Sequence, residues 1–330
     1  MRAVIVSEFG PVDSHRLGEL PETPPKVGEV VVAIQATAVN FVDLLVVTGQ
    51  YQFLPERPFS PGKLPAGIVS AVGSDVTGLK IGDRVLALAE QGGYAQRVNI
   101  PAAQCFKLPA SMSFVDAAAM ALVYDTSWFA LRERGRLNPG ESVLVLGGSG
   151  GIGLASIQLA KAMGARVLAG ISTSGKMDLV RDAGADAVID LSEPDLRNSL
   201  RDQVYAQNGD NGVDIVIDPI GGDAFDAALR AVAWRGRVVV VGFASGRIPT
   251  IKANYLLLKN IEVSGVQVSD YRKRTPDLMT QCMTEIFGLF EAGKLRPSPA
   301  VTYPLERFAN AMQDVRDRRV RGRAVLVQNP

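Results

Sequence analysis

The polarity pattern changes character once along the chain. From Met1 to about Pro109, short β-rich stretches (RAVIV, EVVVAIQATAV, AGIVSAVG, DRVLAL, YAQRVNI) are separated by Gly and Pro clusters, the pattern of a compact all-β unit with few helices. After Ser113 an Ala-rich helix is expected. Beyond it, apolar strands alternate with helices of 3.6-residue periodicity, which implies βαβ units and a parallel sheet. The strands fall at 142–146, 166–171, 187–190, 213–218, 237–242 and 261–268, six in all, as many as a full doubly wound dinucleotide sheet holds. From about Tyr271 the run TPDLMTQCMTEIFGLFEAGKL predicts helix, followed by a strand, a helix and a final strand, AVLV. That tail is too short for a third core and is expected to return to the first domain. The fold class is therefore α/β, with a β-rich domain over 1–122 and 269–330 and a doubly wound Rossmann domain over 123–268.

The sharpest chemical signal lies where the first parallel strand meets its helix, in VLVLGGSGGIGLASIQLAKAMGA. Gly148, Gly150 and Gly153 form a GxGxxG that follows an apolar strand and opens a helix carrying Ile157, Leu159 and Ala160. Such a loop, here Gly148, Ser149, Gly150, Gly151, Ile152 and Gly153, lets backbone amides at a positive helix end meet a pyrophosphate. The next strand ends in AGISTSGK. NAD binders place an acid there to hold the ribose 2′-hydroxyl. This chain offers Ser172, Thr173, Ser174 and Lys176, with no acid before Asp178 to repel a 2′-phosphate, so NADPH is the expected cofactor. A solvated turn with Ser capping the following helix is compatible with the same residues.

Composition mainly excludes. The 330 residues carry 35 Lys plus Arg against 34 Asp plus Glu, a net charge of +1 that gives no field to steer nucleic acid or an anionic membrane. Asp116, Asp125 and Arg132 interrupt or close off the longest apolar run, and MRAVIVSEFG lacks the apolar core of a signal peptide, so a soluble cytoplasmic protein is expected. With only Cys105, Cys282 and His15, neither a disulfide framework, a zinc site of several Cys and His ligands, nor a His-based triad has its parts, and no metal is expected.

Taken in order, NFVDLLVVTGQY, PGKLPAGIVSAVG, GDRV, GGYAQ, the glycine loop, DPIGG, GFASGRIP and LLLKNIEVSGV resemble the zinc-independent quinone oxidoreductases, the zeta-crystallin-like branch of the medium-chain dehydrogenase/reductase superfamily. The resemblance covers nearly the whole chain. It implies a GroES-like catalytic domain joined to a Rossmann domain with the active site between them, NADPH as cofactor, and a homodimer, for which IEVSGVQV is the candidate edge strand. It also places Asn40 and Lys63 where zinc-dependent relatives keep metal ligands.

Carried over by position, Asn40 would contact nicotinamide or substrate, Thr126 would line the nicotinamide pocket, and Gly242, Phe243, Ala244 and Ser245 would border the cofactor. Arg318 falls where a 2′-phosphate contact is possible. Tyr51 lies where related reductases reach substrate, and a phenol can donate a hydrogen bond or a proton. Asn40 can equally cap a helix, Tyr51 can simply pack, and Asp43 is read as fixing a helix turn. Three departures stand out: Leu64 in place of a glutamate, Leu191 in place of a tyrosine, and Asp125 in place of a glycine.

The expected function is an NADPH-dependent reductase that passes hydride to a quinone or another α,β-unsaturated carbonyl without metal. The alternatives are an enoyl-thioester reductase, with the basic run YRKR (Tyr271 to Arg274) meeting coenzyme A phosphates, and a protein that binds NADPH without turnover.

Overall fold

A computed structural model describes residues 1–328. The chain divides into two compact units, Met1–Leu122 together with the chain from Pro297 onward, and Val123–Arg296.

In the first unit, β1 (Arg2–Ile5) and β2 (Arg16–Glu19) form a small antiparallel pair. A seven-stranded sheet is built from β3 (Glu29–Val39), β4 (Ala66–Val72), β5 (Arg84–Ala87), β6 (Arg97–Pro101), β7 (Cys105–Lys107), β14 (Ala300–Pro304) and β15 (Arg323–Val327). The long β3 is its hub, pairing antiparallel with β4, β6 and β15. Its alternating apolar residues Val30, Val32 and Ile34 pack with Val69, Val85, Val98 and Ile100. A second core gathers Val39, Leu44, Val47, Tyr94, Phe308, Met312 and Leu326 beneath α1 (Phe41–Val47) and α11 (Phe308–Arg316). The last helix of this unit before the chain crosses over is α2 (Phe114–Met120), whose first turn Ser113 caps by accepting the Asp116 N–H at 3.0 Å.

The second unit holds six parallel strands, β8 (Ser142–Leu146), β9 (Arg166–Ile171), β10 (Ala187–Asp190), β11 (Val213–Asp218), β12 (Val232–Val240) and β13 (Glu262–Gly265). Their spatial order is β10-β9-β8-β11-β12-β13, the doubly wound order with its switch point between β8 and β11. Every residue of β8 is buried, because helices cover both faces of a parallel sheet and leave no solvated side for alternation to mark. Those helices are α3 (Val123–Trp128), α4 (Gly151–Ala162), α5 (Met177–Asp182), α6 (Leu196–Asn208), α7 (Gly222–Ala231) and α8 (Ala253–Lys259), joined by α9 (Val268–Arg274) and α10 (Pro276–Glu291). Leu144, Leu146, Leu200, Val216, Phe225 and Leu229 make up much of the core on one face.

The first four strands have the bounds expected from the sequence. β12 begins earlier, at Val232, because Val213 pairs with Val232 before a register shift carries Ile215 to Arg237. β13 is shorter than the apolar run that suggested it. The domain boundary expected at 268/269 falls instead at Arg296. Side chains of α9 and α10 explain the difference: Met279, Cys282, Met283 and Ile286 are buried, Glu285 accepts from Trp128 Nε1 of α3 at 2.9 Å, and Phe129 stacks on Tyr271 with ring centroids 4.3 Å apart.

The apolar stretch set aside above also needs correction. Phe114–Arg134 is long and apolar enough by length and composition to cross a membrane. In the structure 78% of its most apolar 18-residue window is buried, and Leu122 at φ 63° breaks the segment between α2 and α3. Packing within a protein core accounts for its apolarity.

Candidate functional site

The sequence GGSGG after β8 has to turn the chain within a few residues and start a helix against its own loop. Gly147 adopts φ 64°, the Gly148 N–H bonds Gly170 O at 2.9 Å, and the Gly150 N–H bonds Gly147 O at 2.9 Å. Gly150 is the N-cap of α4. A Cβ on Gly153 would stand 2.2 Å from Gly147 O and 2.6 Å from the Gly148 carbonyl carbon, so only glycine lets α4 lie against the loop. Leu154 N–H is the first to bond back along the helix, to Gly150 O at 2.9 Å. The amides of Gly151, Ile152 and Gly153 are thus first-turn donors at the positive helix end, suited to an anion.

The edge is continued by two more strand ends. After β9, Ser172, Thr173 and Ser174 are exposed and Lys176 is half-buried in the turn Ser174–Lys176. No side chain caps that turn or α5, so the serine-capping reading is not realised. Leu191 packs against Gly170. After β11, Asp218 Oδ1 accepts the N–H groups of Ile220 and Gly221, both at 2.9 Å, while its main-chain oxygen accepts Val241 N–H at 2.8 Å. Ala244 N–H bonds Pro219 O at 3.1 Å and Ser245 N–H bonds Ile220 O at 2.9 Å. Gly242, Phe243, Ala244 and Ser245 are therefore held on the DPIGG turn. Loops at the carboxyl ends of parallel strands are where open α/β sheets take ligands. Thr126, buried on α3, belongs to the same neighbourhood: Ser127 Oγ donates to Ile152 O at 3.3 Å, in the first turn of α4, and accepts from Ser156 Oγ at 2.9 Å.

Burial pushes the Asp218 carboxyl up to about 6, against the two N–H groups that favour its charge; the Asp226 charge adds to the rise. Asp218 was legible only as part of the DPIGG string, yet it ties the β11 and β12 ends together.

In the first unit, Asn40 is buried at the N-cap of α1. Asp43 reaches back to accept the Asn40 N–H at 2.8 Å and also accepts Tyr94 Oη–H at 3.1 Å, which is the helix-turn role read from the sequence. Burial raises the Asp43 carboxyl, opposed mainly by that Asn40 N–H and by the Lys63 charge. Tyr94 is raised by burial and by Asp43. The Asn40 amide is oriented twice over. Arg323, which can only donate, bonds Oδ1 at 2.6 Å, and Nδ2 donates to Ala38 O at 3.2 Å. The Asn40 side chain also hydrogen-bonds the Asp43 carboxyl.

Lys63, also buried, places Nζ 2.7 Å from Glu90 Oε2 and 3.1 Å from Glu90 O. The loop holding it is locked: Leu64 N–H bonds Ala89 O at 2.9 Å and Gly93 N–H bonds Gly62 O at 2.9 Å. Leu64 is fully buried at φ 51°. Lys63 Nζ lies 5.8 Å from the centroid of the Tyr51 ring, which packs half-buried against the core beneath α1 and edge-on to Phe53. Glu90 and Arg323, the partners of Lys63 and Asn40, are residues that sequence reasoning did not single out. Arg318 is exposed at φ 56° beyond α11, in the first unit.

Among the described residues no three His, Cys, Asp or Glu side chains group as a metal site. Burial raises the Cys105 thiol to about 12 and holds Cys282 well above its ordinary value, so neither supplies a thiolate near neutrality.

Residues 26–110 match the alcohol dehydrogenase GroES-like domain family and residues 151–285 the zinc-binding dehydrogenase family. The chain is 38% identical over 301 residues to the quinone oxidoreductase-like protein 2 homolog of Nematostella vectensis, covering 90% of this chain and 81% of that protein. It is 30% identical over 348 residues to the synaptic vesicle membrane protein VAT-1 homolog of Rattus norvegicus, covering 100% of this chain and 85% of that one. Its fold is similar to that of Escherichia coli quinone oxidoreductase complexed with NADPH, with a TM-score of 0.91, 30% identity, and 99% and 100% of the two chains covered.

The raised Asp218 carboxyl sets a pH dependence. Between about 4 and 6 the folded chain keeps a proton that the unfolded chain releases, so this group's contribution to stability is lost as pH rises through that window. Asp218→Asn keeps the shape and acceptor of the neutral acid. It should be more stable than the parent at pH 8, by up to about 3 kcal/mol, and similar at pH 4, as read by denaturant unfolding at both values.

Proposed function

The chain is an oxidoreductase of the quinone oxidoreductase branch of the medium-chain dehydrogenase/reductase superfamily, and from that premise we propose that it passes hydride from NADPH to a quinone or another α,β-unsaturated carbonyl without a metal. The observation that carries the reading is the close approach of Gly153 to Gly147, which makes a cradle that a Cβ would fill and turns first-turn amides outward to a pyrophosphate. The NADPH complex of the similar Escherichia coli enzyme supports the choice of cofactor.

In this reading Gly148 to Gly153 hold the pyrophosphate, Ser172, Thr173, Lys176 and Arg318 serve the 2′-phosphate, and Gly242 to Ser245 border the cofactor. Thr126 and Asn40 are assigned to the nicotinamide end. Bound NADPH supplies the hydride. The protein's part is to orient an acceptor, exclude water and manage the charge that appears on the acceptor oxygen. Asn40 is assigned that last task, its carboxamide oriented by Arg323 and Ala38. Tyr51, with the Lys63 cation 5.8 Å from its ring centroid, is the proton donor for acceptors that need one on carbon. Asn40 and Lys63 are already engaged by Arg323 and Glu90, which supports a metal-free site at these positions.

The enoyl-thioester alternative loses part of its support. Arg272 of the basic run is buried in an ion pair with Asp125, leaving Lys273 and Arg274 exposed. We further propose a cytoplasmic homodimer. Free thiols at Cys105 and Cys282 suit a reducing compartment. The edge strand β13, with Trp234, Leu257 and Leu258 of the same unit exposed at 68%, 77% and 73%, offers a surface a second copy would cover.

Tyr51→Phe should cost little turnover with an ortho-quinone, whose reduced anion is stabilised by resonance. With an enone it should cost about 100-fold or more in kcat/KM. Equal small losses with both acceptors would leave Tyr51 a packing residue. Lys176→Ala should raise KM for NADPH about tenfold while leaving NADH unchanged, and a parallel loss with both cofactors would show that Lys176 serves the fold.

A further inference from the structure

Asp125 and Arg272 form a buried ion pair within the second unit. Asp125 sits on α3, Arg272 on α9, and Arg272 Nη2 donates to Asp125 Oδ2 at 2.6 Å with each side chain only 2% exposed. The other carboxylate oxygen faces the neighbouring residue: Asp125 Oδ1 accepts the Thr126 N–H at 2.6 Å and lies 3.3 Å from the Thr126 hydroxyl. One carboxylate therefore clamps α9 on one side and Thr126 on the other. Around it the contacts are aromatic and apolar, with Phe129 against Tyr271, Trp128 held by Glu285, and Cys282 buried.

Such a pair is a poor way to gain stability. Two charges lose their hydration on burial, and apolar side chains of similar volume usually do as well or better. What an ion pair with a forked guanidinium adds is direction, because it admits few geometries where an apolar contact admits many.

Resting on the reading that Thr126 borders the nicotinamide, we propose that Asp125 and Arg272 are positioning residues: the pair fixes Thr126 and the α3–α9 junction, and through them the orientation of the nicotinamide relative to the acceptor. Neither side chain needs to touch a ligand. Hydride transfer is sensitive to such placement, since an error of about 1 Å can cost about 100-fold in rate.

The test compares the parent chain with Asp125→Leu/Arg272→Met, in which both charges go together, and with Arg272→Lys, which keeps the charge and loses the fork. The double variant should melt within a few degrees of the parent, whereas Arg272→Met alone, which takes the guanidinium from a buried carboxylate, should lose about 5–10 °C. Amide hydrogen exchange over residues 123–129 and 268–274 should rise about tenfold or more in the double variant. NADPH affinity, read from quenching of protein fluorescence, should change less than about threefold, while kcat with phenanthrenequinone falls about 10- to 100-fold. Arg272→Lys should keep the parent's melting point with a kcat loss of about threefold or more. Exchange and kcat within twofold of the parent in whichever variants fold would overturn the assignment. If the parent chain itself oxidises no NADPH with any acceptor, the reductase reading falls, and the exchange comparison alone decides whether the pair positions Thr126.

Discussion

The contact between Gly153 and the Gly147 carbonyl is the constraint on which the ligand edge of the second unit depends. A single methyl at Gly153 would come 2.2 Å from that oxygen, so α4 would have to back away from the end of β8. The first-turn amides would then no longer face a common point, and the partial positive charge of roughly half a unit at the helix end would be spent on solvent. The Ser127 and Ser156 hydroxyls tie α3 to this helix, so the position of Thr126 follows from the same contact.

The first unit solves a different problem, the burial of charged groups. Lys63 is balanced by Glu90, Asp43 by hydrogen bonds from Asn40 and Tyr94, and Arg323 bonds the Asn40 carboxamide. The consequence is the orientation of one amide. Donor-only Arg323 and acceptor-only Ala38 O permit a single placement of the Asn40 oxygen and nitrogen.

The sequence was most informative where local rules and burial agree. Strands β8, β9, β10 and β11 fall at their expected bounds because unbroken apolar runs bracketed by Gly, Asp and Pro admit few alternatives, and the glycine spacing located the loop. The β12 start was hidden by its register shift, which is a matter of pairing. The boundary near residue 268 was misplaced because what anchors α9 and α10 are contacts of Glu285 with Trp128 and Arg272 with Asp125, some 150 residues apart in the chain. Arg272 reads from the sequence as one more charge of a basic run, since nothing local to YRKR marks its partner. Glu90 and Arg323 were silent for the same reason: their partners are Lys63 and Asn40, which only folding brings to them.

The central claim is that this scaffold both grips NADPH and spends it. The most direct measurement is rapid-mixing oxidation of NADPH preloaded on the protein, with a quinone and an enone as acceptors and a strong chelator present throughout. The account predicts consumption of one NADPH per chain with at least one acceptor, at a rate the chelator does not change. Bound NADPH that survives every acceptor, or turnover that the chelator abolishes, would contradict it.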